Sequence, residues 1–383
     1  MIITLSIILT SCGGTGLLSK NKVTIEMVYG SEKEEWLVPL IEEFNKAKNE
    51  IESGEVIEIE AIPMGSIESI RRIISQDLQP VVWSPASDIV VPMANAEWKK
   101  EHSTDLVSDQ FNYLVLSPVV IAMWQPMAEA LGWPDGHLGW SDISQLSISE
   151  EGWDAFGYPE WGSFKFGHTH PNFSNSGLVS VIAQAYAGVK KQRDLTKEDI
   201  ESTELTSFMQ DVQSSIIHYG KSTGFFATRM FERGPSYLSA AVMYENLVVA
   251  QETKRISGES SQLPVVAIYP KEGTFWSNHP YIILNAPWVD DEQREAAQIF
   301  EAYLLDTEQQ EQAIQFGFRP ADPAIPLGFP LDTNHGVDIN QPQTVLEVPQ
   351  ADITIGIQDL WSQVKKPVDV VVVMDTSGSM HGK

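Results

Sequence analysis

The feature that most limits what this chain can fold into is a junction that recurs along it. A short apolar run ends in small polar residues, and a helical pattern follows at once. The fullest example is residues 164–188, "FKFGHTHPNFSNSGLVSVIAQAYAG". A β-type run at 164–166 enters a loop of Gly, His, Thr, Pro, Asn and Ser, and an apolar helix pattern begins at about Leu178. Asn175 or Ser176 is positioned as the helix cap, and Gly177 keeps side-chain bulk away from the turn. Such a helix start presents free N–H groups and partial positive charge, a ready site for an anion or a carbonyl.

The same junction is present three more times near the N-terminus. The run "VTIEMVY" ends at Gly30-Ser31 before a helix pattern over 34–48, with Trp36, Leu37, Leu40, Ile41 and Phe44 at helical spacing. A second run, 56–62, ends at Gly65-Ser66 before a helical 67–74. A third, 81–83, leads into Ser84-Pro85-Ala86-Ser87 and a helix containing 88–98. Alternating strands and helices through short loops predict an α/β domain with a largely parallel sheet. Ligands of such sheets bind outside the carboxyl ends of the strands. One serine there is ordinarily a cap; three at one edge, with the Asn175-Ser176 loop as a fourth, point to a polar cleft.

The apolar run 111–125, broken by Pro118, reads as a strand leaving the first domain for a second. Residues 194–219 read as surface helices, and Gly234-Pro235-Ser236 as the start of a helix-like segment leading to "VMYEN" at 242–246. Strands at 265–270 (crossing back) and 279–285, and helices over 292–305 and 308–316, complete the pattern.

A length of 383 residues accommodates two domains with cores of their own. A formal net charge of −27 argues against nucleic acid as a partner, since a phosphate backbone is met by basic patches. The single cysteine, Cys12, excludes an intramolecular disulfide. It follows a short apolar run, "IITLSIIL", too short to anchor as a membrane-spanning helix, and "LTSCGG" resembles the lipobox of a bacterial lipoprotein signal peptide. The resemblance implies lipidation at Cys12, a signal peptide over 1–12, a tether over 13–22, and an exported, membrane-anchored protein at the periplasm or cell surface. The run lacks the usual Lys or Arg before it, which points to an internal start.

Over residues 22–345 the chain resembles the type II periplasmic solute-binding proteins. The resemblance rests on "VYGSEKEEWLVPLIEEFNKA", "VVWSPASDIVVPMAN", "LSPVVIAMWQPMAEALGW", "FGHTHPNFSNSGL", "VVAIYPKEGTFWSNHPYIIL" and "FGFRPADP". It implies two α/β lobes, 22–117 with 265–345 and 118–264, joined by two crossover strands and closing on a ligand by hinge motion. In the oxyanion-binding branch, hydroxyls and backbone N–H groups of these loops hold the ligand; the matching positions are Ser31, Ser66, Ser84, Asn175 and Ser176, with Tyr244. Glu245, beside Tyr244, would favour a cationic or amine-bearing ligand over an anion if it faced the cleft. The ligand class stays open between a small molecule and an oxyanion.

Residues 346–367 read as a linker. Beyond it, "VDVVVVM" followed by "DTSGSM" resembles the opening of a von Willebrand factor A domain and its D-x-S-x-S metal-ion-dependent adhesion motif. In a complete domain Asp375, Ser377 and Ser379 would be hard oxygen ligands for Mg²⁺ or another divalent cation; residues 368–383 are expected to be its truncated start, an incomplete site. The leading expectation is therefore a lipid-anchored extracytoplasmic binding protein, not an enzyme, fused to an adhesion-type domain with a protein partner. The alternative is an adhesive or assembly protein whose solute-binding fold is a scaffold with an occluded cleft. The one hook for catalysis, His168-x-His170 with His279 as a third zinc ligand, lacks a supporting motif.

Overall fold

The computed structural model describes residues 21–367. Cys12 and the Asp375, Ser377 and Ser379 motif lie outside the described residues. In chain order the first elements are β1 (Lys22–Tyr29), α1 (Glu34–Ala47), β2 (Val56–Pro63), α2 (Ser66–Ile74), β3 (Val82–Ser84), α3 (Val91–Trp98), β4 (Asn112–Tyr113) and β5 (Val115–Trp124). Next come α4 (Gln125–Ala130), α5 (Trp140–Ser147), β6 (Phe166–Thr169), α6 (Asn175–Val189), α7 (Lys197–Ile200), α8 (Thr203–Ser214), β7 (Ile216–Gly220) and α9 (Thr223–Arg233). The chain continues through β8 (Ala240–Tyr244), α10 (Glu245–Ile256), β9 (Val265–Ile268), β10 (Trp276–Ser277), β11 (Pro280–Ile283), α11 (Asp291–Leu304), α12 (Thr307–Gln315), β12 (Arg319–Pro320) and α13 (Ala351–Val364).

Two sheets organise these elements. The first runs β2-β1-β3-β11-β4, with β1 parallel to β2 and β3 and with β11 antiparallel to β3. Its core lies between β1 and the apolar faces of α1 and α11. There Trp36, Leu40 and Phe44 of α1 are buried with Phe300 and Leu304 of α11, as the helical spacing predicts. The second sheet runs β10-β5-β8-β6-β7, with β9 and β12 also paired to β5. Besides the step from α12 to β12, which pairs β5, the chain crosses between sheets at Leu114 and again at Asn278-His279. The crossings are tied together, for the Leu114 N–H donates to the His279 carbonyl at 2.9 Å.

Several expectations change. The strand placed at 164–166 is β6, which carries His168 and Thr169 inside the sheet, so the polar loop is shorter. The N-cap of α6 is Ser174, with Asn175 and Ser176 already in the first helical turn. The segment at Gly234-Pro235-Ser236 opens no helix: α9 ends there on Gly234 at φ +74°, and β8 then leads into α10. Residues 265–277 belong with the second sheet, because β9 and β10 both pair β5. The return crossing therefore falls at 278–279, not at 265. The supposed linker carries α13, whose Ile357 and Trp361 are fully buried in the second lobe. Ile353, Ile357, Leu360 and Trp361 fall on one face of it, the spacing of an ordinary amphipathic helix.

Candidate functional site at the lobe interface

Six strand-to-helix junctions meet between the lobes. From the first lobe come the turn after β1 (Ser31–Lys33), the start of α2 and the loop after β3. From the second come the starts of α6, α9 and α10. Parallel strands feeding helices put all these helix N-termini on one side, with their N–H groups converging.

Ser31 lies at the centre of the contact. Its hydroxyl is 2.5 Å from that of Ser222, and it accepts from the Gly224 N–H at 3.1 Å. Ser176 is 2.8 Å from the Thr223 hydroxyl and 2.7 Å from that of Thr169. The Asn175 amide donates to the Tyr244 hydroxyl at 3.1 Å and reaches Ser277 at 3.4 Å. Ser66 accepts from the Ala86 N–H at 3.0 Å. Ser84 is fully buried, and its hydroxyl has no partner. The structure thus joins Ser31 and Ser176 through the Ser222–Thr223 turn, and Asn175 to Tyr244. Ser66 and Ser84 stay on the first-lobe side of the same interface.

Glu245 does not face this interface. It forms a two-pronged ion pair with Arg319 (2.9 and 2.7 Å) and accepts from the Tyr269 hydroxyl. Glu245 therefore presents no unmet charge that would select a cation, since its carboxylate is met by a guanidinium in a buried fork.

Sequence reasoning missed a buried charged cluster. Lys33 is fully buried, and its ammonium reaches three polar atoms: Glu32 Oε1 at 3.2 Å, the Pro85 carbonyl at 3.4 Å and His279 Nδ1 at 3.2 Å. His279 Nδ1 also lies 3.4 Å from Glu32 Oε1, so it accepts from the ammonium in one neutral tautomer and donates to the carboxylate in the other, with Nε2 taking the opposite role. That Nε2 atom has no partner. Burial pushes the Glu32 carboxyl up, but Lys33 and then His279 outweigh it and hold it at about 2. Burial, reinforced by Lys33, lowers His279 to about 4, so the ring is neutral near pH 7. His279 also has φ +35°, an uncommon conformation for a side chain of this size, at the crossing between lobes. Its backbone holds it there, donating to Ala86 O at 3.1 Å. No local signal in "GSEKEE" marks Glu32 and Lys33 as buried; their partner is 246 residues away.

The zinc hypothesis fails on geometry. His168 is fully buried between the Thr169 carbonyl at Nδ1 and Gln213 at Nε2, while His170 Nδ1 accepts from the Asn172 N–H. Their rings lie near Trp361, and His279 is held by Lys33 instead. Among the described residues no group of three His, Cys, Asp or Glu is arranged to hold a metal.

A two-lobed α/β architecture joined by crossing segments, with helix N-termini facing an inter-lobe site, is that of the type II periplasmic binding proteins. The chain belongs to the bacterial extracellular solute-binding protein family, whose sequence model matches residues 25–319. Among curated proteins it is similar to the uncharacterized protein Rv1836c of Mycobacterium tuberculosis (strain H37Rv). The two are 25% identical over 276 residues, covering 66% of this chain and 36% of that protein. The matched region is thus only about a third of the length of that relative. Among solved structures, a periplasmic thiamin binding protein superposes with a TM-score of 0.64 at 11% identity, covering 92% of this chain and all of that one. The sulfate-binding protein SubI of M. tuberculosis H37Rv gives 0.51 at 16% identity (79% and 88% covered). Iron-bound HitA of Pseudomonas aeruginosa gives 0.53 at 15% identity (88% and 99%). At these identities the likeness is one of fold.

Proposed function

We propose that this chain is the recognition module of an exported, lipid-anchored protein, and that its lobes close on a small polar ligand or oxyanion at the buried cluster between them. The carrying observation is the set of three buried, unpartnered polar atoms there: Ser84 Oγ, Asn175 Oδ1 and His279 Nε2. A buried polar group left unpaired costs about 1–3 kcal/mol, so native proteins rarely leave several near one another without something to bind them. Asn175 and Ser176 in the first turn of α6 add helix N–H groups suited to a carbonyl or anionic oxygen. Lipidation at Cys12 and a divalent cation at Asp375, Ser377 and Ser379 belong to the same proposal. In a longer protein the adhesion-type domain would carry the contact with a protein partner.

A second reading, a scaffold with an occluded cleft, is favoured by the direct Ser31–Ser222 contact, in which the lobes satisfy each other's hydroxyls. A thermal-shift screen against oxyanions, sugars, amino acids, polyamines and metals separates the two. A ligand bound only by the folded state adds about 2.7 kcal/mol at 100 times Kd. The expected result is a shift with one chemical class that is lost in Ser176→Ala. No shift with any class would leave the scaffold reading standing.

A further inference from the structure

We infer that α13 senses whether the lobes are closed, so that the module signals along its own chain as well as binding. The inference goes beyond ligand recognition and rests on a continuous path of contacts from the first lobe to α13. At the first-lobe end, the Ile67 and Glu68 N–H groups at the start of α2 both donate to the Phe173 carbonyl, at 3.1 and 3.0 Å. The Arg71 guanidinium lies 5.5 Å over the Phe173 ring, and Glu68 pairs with Lys221 at 2.6 Å. Phe173 therefore has its closed-state partners in the opposite lobe.

From Phe173 the path runs through rings. His170 is 4.9 Å from Phe173 and 4.7 Å from Trp361 of α13. Gln358, one turn earlier in α13, donates to the Pro171 carbonyl at 3.2 Å and to Asn172 Oδ1 at 3.1 Å, so α13 grips the loop from the other side. Trp361 is anchored below, its Nε1–H donating to Gln213 Oε1 at 3.1 Å. Gln213 in turn donates to Gln184 at 2.9 Å and accepts from the Tyr219 hydroxyl at 2.8 Å. Opening the lobes removes two donors from the Phe173 carbonyl. The carbonyl is then left to water, while Gln358 of α13 still holds the loop at Pro171 and Asn172. Closure and α13 docking are thus two states of one packed unit, and coupling of this kind is reciprocal. The same loop leads directly into Asn175 and Ser176, so whatever they bind bears on the same element.

The test uses a cross-lobe disulfide, Ser31→Cys with Ser222→Cys, in the full chain carrying Cys12→Ser. The paired hydroxyls place the two side chains within reach. Amide hydrogen exchange over residues 351–364 is compared between the oxidised and reduced protein. Slower exchange in the oxidised form is expected. Reciprocity requires that Trp361→Ala or Gln358→Ala lower the effective concentration of the thiol pair in a glutathione titration, by between about 5- and 150-fold. Ile355→Ala, on the exposed face of α13, leaves it unchanged. Equal exchange in the two redox forms, or an effective concentration indifferent to Trp361→Ala, would overturn the inference. Failure of the disulfide to form at all would overturn it too, since the lobes would not meet at Ser31. None of these readouts depends on a ligand, so a flat ligand screen leaves this result independent.

Discussion

At the scale of residues, the structure stakes stability on histidines held neutral. His168 and His279 are both fully buried, and burial is the main cause that lowers each to about 4. Around His168 stand Gln213, Tyr219, Trp361 and His170; around His279 stand Glu32, Lys33, Tyr244 and Phe318. The ordinary value is 6.5, so between pH 6.5 and 4 the unfolded chain binds protons that the folded chain does not. Stability falls as pH drops through that window and levels off below it. Each group contributes on the order of 2 kcal/mol between pH 7 and 5 as an upper bound. We predict a melting temperature that declines from pH 7 to pH 5, and a shallower decline in His168→Gln. A parallel decline in that variant would mean that His168 is not a source of the effect. Little of this was legible in sequence. Ser31, Asn175 and Ser176 are marked by standing next to helix starts, whereas Tyr244 follows only from the family resemblance. Nothing in the sequence sets Glu32 and Lys33 apart from the charged residues that follow them, and only the return crossing, far along the chain, supplies His279.

At the scale of elements, strand length does not separate the legible junctions from the rest, for β3 and β6 are both shorter than β7. β7, "IIHYG", is partly exposed and lies at the end of the stretch 194–219 that reads as surface helices, so nothing in sequence singles out Ser222, Thr223 and Gly224 after it. α6 shows how tightly a recognised junction is built. Gly177 lies in its first turn, where an added Cβ would run into the Thr169 carbonyl and into the backbone of His170. In an open helix, Gly→Ala gains up to about 1 kcal/mol from propensity. Here the new methyl meets backbone, which cannot rotate away, and overpacking of this kind costs about 1–3 kcal/mol. Gly177→Ala is therefore expected to lower the urea midpoint without changing the slope. A rise in the midpoint would mean that α6 can shift off β6 freely.

At the scale of the whole molecule, the question is what sets the closed arrangement. Gly65 precedes α2 at φ −66°, ψ 140°, a conformation open to any residue, so glycine is not needed there for backbone reasons. It is needed because the other lobe arrives. A Cβ at Gly65 would meet the Phe173 carbonyl and lie 3.0 Å from the Lys221 carbonyl, both backbone atoms across the interface. Within the first lobe nothing resists a larger side chain to the same degree, so its cost falls on closure and spares the fold of either lobe. Gly65→Val should therefore hold the lobes apart. Small-angle scattering would register a larger radius of gyration, and far-UV circular dichroism would stay as it is. The shift given by any ligand in the thermal screen would shrink, because binding would first have to close a wedged cleft. An unchanged radius of gyration would mean that the lobes in solution do not meet at Gly65.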